Sequence, residues 1–501
     1  MVGLVTAALA SCAALAGNHD GGVVVQAATP VTREWQPPAA RGPYRGQSVT
    51  VPFCRVEGTI EGNIGFELWL PAQWNGRMLG AGVGGDAGVF NYTDMSRRIV
   101  EGFATVTTDS GHKATQARWM TDAKARTDYE HRAVHLTAGA AKALIATFYG
   151  KGPDRSYYSG CSGGGRQALK EMQNYPGDYD GVLAGAPGPY MPLQSVRMMY
   201  FSLQQKWNPN AALTDADWSL YERKTTEACD AKDGVVDGIV ENPMSCTFRT
   251  KALQCKAGQA EDCLSAAKVA MLDSIRSPMK DEAGRAMDGG LFPGVRTRPG
   301  PPSPLLRAMW ADAAHDDADW NEDSFQRTPD LEMIDRKMPE LRADKTDISG
   351  FLSKGGKAII YQGWADPSTN AGPTIDYYAA LARANGGQDS LSDHVRLFMV
   401  PGMYHCAGGP GVDAFGASGQ PNWPGDPSRD MLWSLIRWVE QGEAPERIVG
   451  TKLAEGKEDF TRALCPFPQA ARYDGRGPKK EASSYSCKAD PLLVKSFTAR
   501  K

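Results

Sequence analysis

Several features that would assign this chain to a familiar class are missing. Its 501 residues hold no long run of one charge and sum to a formal net charge of -3. Neither nucleic acid nor an anionic membrane surface is therefore expected as a partner. No C-x-x-C pair occurs among the ten cysteines, which argues against zinc ribbons and dithiol redox chemistry. Beyond residues 1–17 there is no apolar stretch approaching the roughly 18 residues of a membrane span. Internal repeats and low-complexity tracts are absent as well. Histidine is scarce, with seven in the chain, so a catalytic imidazole has few candidates.

What is present suits a large folded protein. Apolar residues make up 42% of the composition, enough for one large domain with an insertion or for two or three domains. Ten cysteines, an even number, predict disulfides and an oxidising compartment, so the protein is read as secreted or periplasmic. Residues 1–17 are small and apolar like a secretory h-region, yet no Lys or Arg precedes them. Leu9-Ala10-Ser11-Cys12 also resembles a lipoprotein cleavage site. Removing or lipidating Cys12 would leave an odd thiol, so Cys12 is expected to be a bridge partner, with part of a true signal missing from the chain.

Short β-prone runs at 66–70, 78–81, 103–107 and 155–158 end in glycine-rich or polar turns. Helical spacing at 131–148 separates the last two, and a helix is predicted over 163–175. Strands at 181–186, 357–362 and 395–400 and a closing helix at 431–441 continue the alternation. This pattern predicts an α/β fold with a parallel sheet. From 189 to 345 the texture changes to Asp, Pro and Met with four closely spaced cysteines and a Pro299–Pro304 turn cluster. It reads as an insertion over the C-terminal edge of the sheet, leaving 1–188 and 346–501 as the two parts of the core.

Chemistry concentrates in two dipeptides. Ser162 lies in Gly160-Cys161-Ser162-Gly163-Gly164, a G-x-S-x-G match between a predicted strand and a predicted helix, the arrangement of a nucleophile elbow. His405 follows the strand at 395–400, within Pro401-Gly402-Met403-Tyr404-His405-Cys406. The other histidines fall in helices, the insertion, a strand lead-in or the N-terminal segment, except His112, which ends a strand and is kept as a supporting candidate. Asp366, in the exit loop of the strand at 357–362, is the predicted acid, with Asp376 as its rival. The order Ser162, Asp366, His405 is that of the α/β-hydrolases. If Ser162 and His405 meet at hydrogen-bond distance, Cys161 and Cys406 are brought close enough to bridge. An oxyanion site needs two backbone N–H donors. One is expected from Gly163, and the other from the turn Gly80-Ala81-Gly82-Val83-Gly84-Gly85-Asp86.

With these motifs the chain resembles the tannase and feruloyl esterase family of α/β-hydrolases. That family is marked by Cys-Ser, a distant Asp and His-Cys, matched here by Cys161-Ser162, Asp366 and His405-Cys406. The resemblance runs from Cys12 to Cys487 and includes Phe66-Glu67-Leu68-Trp69-Leu70-Pro71 and Trp74-Asn75-Gly76-Arg77. It implies an α/β-hydrolase fold with a large inserted lid domain that shapes the acyl pocket. It implies the pairs Cys12–Cys54, Cys161–Cys406, Cys229–Cys246, Cys255–Cys263 and Cys465–Cys487, and it implies Gly85 as the second oxyanion donor. The segment 229–239 gathers Asp230, Asp233 and Asp237 without EF-hand spacing, since Lys232 holds the third position. The resemblance implies a structural Ca²⁺ there, bound by those three carboxylates and the carbonyls of Val235 and Ile239.

The activity expected is a serine esterase acting on small esters of aromatic carboxylic acids through an acyl-enzyme. Feruloyl esters are the first expectation. Galloyl esters of tannins and mono(2-hydroxyethyl) terephthalate are the alternatives, and an acyltransferase using the same acyl-enzyme is a third. The terephthalate hydrolase, also similar, needs a lid cation for its substrate's free carboxylate. Arg298 and Arg307 lie in about the right region, but their surroundings depart from that enzyme's pattern. Trp364 is a further candidate substrate contact. A reading of another class is a non-catalytic, calcium-stabilised binding protein on the same scaffold. Oligomeric state is not legible, and the lone sequon at Asn91 says little.

Overall fold

The structure is a computed structural model that describes residues 9–39, 42, 44–297 and 302–499. Ten strands form its main sheet: β1 (Gly17–His19), β2 (Val23–Val31), β3 (Phe53–Ile60), β4 (Ile64–Pro71), β5 (Arg77–Ala81), β6 (Ala104–Thr108), β7 (Arg155–Cys161), β8 (Gly181–Gly185), β9 (Lys357–Gly363) and β10 (Val395–Val400). Their order is β1-β2-β3-β4-β6-β5-β7-β8-β9-β10. From β6 to β10 all neighbours are parallel, while β1 to β4 and the β4–β6 pair are antiparallel.

The parallel strands are apolar on both faces, as a sheet covered by helices on each side demands. Val182, Ala184, Ala358 and Ile360 face one layer, with Ala138, Ile145, Leu169 and Met172 from helices Ala133–Tyr149 and Gly163–Asn174. Their neighbours Leu183, Ile359 and Tyr361 face the other, against Met431, Leu435 and Ile436 of helix Met431–Gln441. The two-residue period of each strand thus feeds two separate cores. The N-terminal extension β1–β3 was not legible as strands, nor were the two C-terminal hairpins, β11 (Ile448–Ala454) with β12 (Lys457–Leu464) and β13 (Gln469–Tyr473) with β14 (Tyr485–Ala489).

Among the described residues, 186–356 contribute no strand to the main sheet. Helices Met191–Trp207, Asp215–Cys229, Ala266–Arg276 and Arg327–Lys337 surround an apolar cluster that includes Trp218, Tyr221, Leu272, Trp310 and Ile334. Val83, Ala87, Trp119 and Tyr129 of the first core segment join the same cluster, so the insertion shares apolar surface with the sheet's C-terminal edge.

All five implied cysteine pairs are formed. Cys12–Cys54 ties the residues before β1 to β3. No helix among the described residues is long and apolar enough to cross a membrane. In the folded protein the Asn91 amide of the lone sequon is buried and donates to the Gly82 carbonyl and the Asp94 carboxylate. Arg298 and residues 299–301 of the proline cluster lie outside the described residues.

Candidate active site

Ser162 stands between β7 and helix Gly163–Asn174 with φ 62° and ψ -125°. A non-glycine residue at positive φ is strained and must be held by its surroundings. Its N–H donates to Gly185 O at 2.9 Å, and its carbonyl accepts from Arg166 N at 2.9 Å. The sequence allows this turn because the helix start presses onto β8. A Cβ on Gly165 would lie 2.1 Å from the Gly185 carbonyl oxygen, so only glycine fits.

His405 Nε2 lies 2.9 Å from Ser162 Oγ, and His405 Nδ1 lies 2.8 Å from Asp366 Oδ2. A carboxylate can only accept, so Nδ1 carries the proton and the Nε2 lone pair faces the serine hydroxyl. Asp366 is fully buried. Its Oδ1 accepts the N–H groups of Ser368 (2.7 Å) and Thr369 (2.9 Å), and its Oδ2 accepts Thr369 Oγ1 (2.7 Å) and Gln362 Nε2 (3.2 Å) besides the imidazole. The rival Asp376 belongs to helix Ala371–Ala384, and the imidazole takes Asp366 instead. Sequence reading missed Gln362, Ser368 and Thr369. Ser368 and Thr369 had a signal, an Asp followed within three residues by Ser and Thr, a local Asx-turn pattern, and Gln362 had none.

The acid and base loops are zipped together. Ala365 N donates to Met403 O at 3.2 Å, and a Cβ on Gly363 would sit 2.4 Å from that same oxygen. Cys161 and Cys406, flanking Ser162 and His405, are bridged with their Cα atoms 6.0 Å apart and 245 residues apart in sequence. Chain-entropy arguments give such a loop closure roughly 5 kcal/mol as an upper figure. Its second consequence is a fixed spacing between hydroxyl and imidazole.

The turn after β5 lies against the elbow: Cβ atoms on Gly84 and Gly163 would fall 3.2 Å from Ser162 Cβ and Gly84 Cα. The N–H of Gly82 donates to Ser159 O, that of Val83 to Gln167 Oε1 and that of Gly84 to the Tyr44 hydroxyl. Tyr129 donates to Gly85 O at 2.8 Å. Gly85 N–H and Gly163 N–H, the latter in the first turn of a helix where intrahelical acceptors run out, have no acceptor among the described residues. These are the two groups expected for an oxyanion, Gly163 from its place after the nucleophile and Gly85 from the resemblance. His112 does not reach the imidazole: it stacks on Trp119 at 3.6 Å, and burial pushes its pKa down to about 4. His131, His135, His315 and His394 are bonded to Tyr175, Asp178, Asp330 and Gly356.

Two of the expected substrate contacts are engaged within the protein. Trp364 is only 3% exposed and meets Phe292 of the insertion edge-on at 5.0 Å, so in this structure it packs the insertion onto the acid loop. Arg307 donates to the Trp320 carbonyl at 2.9 Å, which commits its guanidinium within the insertion.

The aspartate loop packs against the C-terminal hairpins, where Val235 meets Ala463, Cys465, Ala471 and Tyr485. Asp230 accepts the N–H groups of Asp237 and Gly238, Asp233 accepts that of Val235, and Asp237 accepts that of Ile239 and pairs with Arg462. Burial pushes Asp233 up to about 6, and the charges of Asp237 and Asp230 add to the rise. The donor set is all oxygen, the kind Ca²⁺ takes. Among the described residues no three acidic, His or Cys side chains converge as a metal-holding group, and Arg462 occupies the outer oxygen of Asp237.

The profile described as "Tannase and feruloyl esterase" matches residues 47–295 and 308–488. The chain belongs to the tannase and feruloyl esterase family. Feruloyl esterase C of Talaromyces stipitatus is 32% identical over 477 residues, covering 92% of this chain and 89% of that protein. The crystal structure of feruloyl esterase B from Aspergillus oryzae superposes with a TM-score of 0.88 at 28% identity, covering 97% of this chain and 100% of that one. Tannin acyl hydrolase from Aspergillus niger shares the fold, with a TM-score of 0.77 at 21% identity over 99% and 96% of the two chains. As a member of this family the protein is a feruloyl esterase-like carboxylic ester hydrolase on an α/β fold.

Proposed function

We propose that the protein is a secreted serine esterase that cleaves feruloyl-type esters of aromatic acids. The observation that carries the mechanism is the unbroken hydrogen-bond chain from Ser162 through His405 to Asp366, at 2.9 and 2.8 Å. Ser162 Oγ attacks the ester carbonyl while His405 Nε2 takes its proton. Gly85 and Gly163 donate their N–H groups to the oxyanion. The imidazolium, held by Asp366, then protonates the departing alkoxide. Water repeats the cycle on the acyl-enzyme, releasing the acid and restoring the serine.

Feruloyl esters rank above galloyl esters because the feruloyl esterases match at higher identity, 32% and 28% against 21% for the tannin acyl hydrolase. Five disulfides suit an oxidising compartment outside the cytosol. We further propose a structural Ca²⁺ on Asp230, Asp233 and Asp237 with the carbonyls of Val235 and Ile239, where it would neutralise the loop and take no part in the reaction. Initial rates on methyl ferulate, methyl gallate and mono(2-hydroxyethyl) terephthalate test the substrate, with Ser162→Ala as the control. Methyl ferulate should give the highest kcat/KM, and Ser162→Ala should abolish turnover of all three. Equal rates for wild type and Ser162→Ala would overturn the mechanism.

A further inference from the structure

His405 is tethered through both of its chain neighbours. On one side Cys406 is bridged to Cys161, beside the nucleophile. On the other, the Tyr404 phenol donates to Glu222 Oε1, on helix Asp215–Cys229 of the insertion. Burial and the adjoining Glu222 push the Tyr404 hydroxyl above its usual pKa, so it stays a donor. Glu222 is itself steadied by Arg296, whose Nη1 lies 3.8 Å from Glu222 Oε2 while its Nη2 reaches Asp215 Oδ1 at 3.2 Å. The acid loop is gripped by the same insertion: Gln194 donates to Ser368 O, and Phe292 packs on Trp364.

Resting on the serine-esterase reading above, we propose that Glu222 is a positioning residue for the base: by holding Tyr404, it fixes the imidazole of His405 from the insertion side. The disulfide constrains the backbone after His405. The Glu222–Tyr404 bond constrains the backbone before it, so rotation of the loop about the Cys406 anchor is opposed. The insertion then sets the rate of the chemical step as well as covering the site. A displacement of about 1 Å at a reacting group can cost on the order of 100-fold, so a partial loosening should cost less.

The test compares Glu222→Ala, Glu222→Gln and Tyr404→Phe on p-nitrophenyl and methyl ferulate esters. Glu222→Ala should lower kcat about 10-fold with KM within about 2-fold. Glu222→Gln keeps an acceptor for the phenol and should recover most of the rate. Tyr404→Phe should match Glu222→Ala, and the double variant should be no slower than either single one. The proposal fails if Glu222→Ala leaves kcat within about 2-fold of wild type, if Gln and Ala lose equally, or if the loss lies in KM. Should Glu222→Ala not fold, the Gln and Phe variants carry the same comparison. Activity that survives Ser162→Ala would instead sink the serine-esterase reading, which separates the two failures.

Discussion

Two aspartate-bearing loops in this molecule treat their carboxylates in opposite ways. In the acid loop one carboxylate collects five donors: two backbone N–H groups, a threonine hydroxyl, a glutamine amide and the imidazole. In the loop at 230–239 three carboxylates divide a few backbone N–H groups and one arginine among themselves. The first arrangement is satisfied by protein alone and can be buried completely. The second leaves a partly buried carboxylate, Asp233, pushed up to about 6. A buried anion needs donors or a cation, and the count of donors decides which role each loop can serve.

Asp366→Asn is the most severe way to break the first arrangement. The amide would still accept some donors, but it would present N–H to the imidazole and favour the wrong tautomer. We expect kcat to fall about 10³–10⁴-fold with KM little changed, read by initial rates on methyl ferulate. A loss under about 10-fold would mean that Gln362 and Thr369 orient the imidazole without the carboxylate. Next in size is the paired Cys161→Ser/Cys406→Ser variant, which keeps every donor and removes the staple. It should lose about 2–5 kcal/mol of stability in denaturant unfolding and about 10- to 100-fold in kcat. Unchanged kcat in the folded variant would show that the donors alone hold the geometry.

The sequence made the acid loop legible only in part. Ser162, Asp366 and His405 were readable because each follows a buried β-strand in the chain order of an α/β-hydrolase, although that order also admitted Asp376 as a rival acid. Gln362 was not, because an inward glutamine on a strand looks like any other strand position until its neighbours are in place. The packing of Trp364 on the insertion was hidden for a related reason. An aromatic residue beside a catalytic acid suits substrate contact, and the competing surface, Phe292, lies far away in sequence. The parallel strands stood out by their apolar runs. β3 is buried on alternating positions along Phe53–Ile60, a pattern that Cys54 and Gly58 obscure. Arg462, the partner of Asp237, comes from a hairpin more than 200 residues away, and spacing rules around 229–239 cannot see it.

The second arrangement is tested by removing the proposed cation. Chelation with EDTA should lower the thermal midpoint by a few degrees, corresponding to about 2–3 kcal/mol when Ca²⁺ stands roughly 100-fold above its Kd. Added Ca²⁺ should restore it, and Asp230→Ala should abolish the difference. Activity at 25 °C should change little, since the loop does not touch the triad. Identical midpoints in EDTA and Ca²⁺ would leave Arg462 as the sole neutralising group and remove the need for a metal.

A third carboxylate places the contrast on a pH scale. Glu130 is buried, and burial is the main reason its pKa is pushed up to about 7, against the lowering effect of Arg166. Its Oε1 accepts the Glu340 N–H at 2.8 Å, and the Leu341 N–H also favours the carboxylate, still fewer donors than Asp366 has. Because the folded pKa lies above the unfolded value near 4.5, the folded state binds its proton more tightly. The stabilising contribution is complete below about pH 4.5 and is lost as pH rises through about 7. The shift corresponds to at most about 3 kcal/mol, and relaxation around the site would reduce it. Glu130→Gln should therefore flatten the fall in thermal midpoint between pH 5 and 8 measured for the wild type. Parallel curves for the two proteins would mean that the Glu340 amide and Arg166 stabilise the carboxylate as fully as the five donors stabilise Asp366, and donor count would no longer separate the two kinds of site.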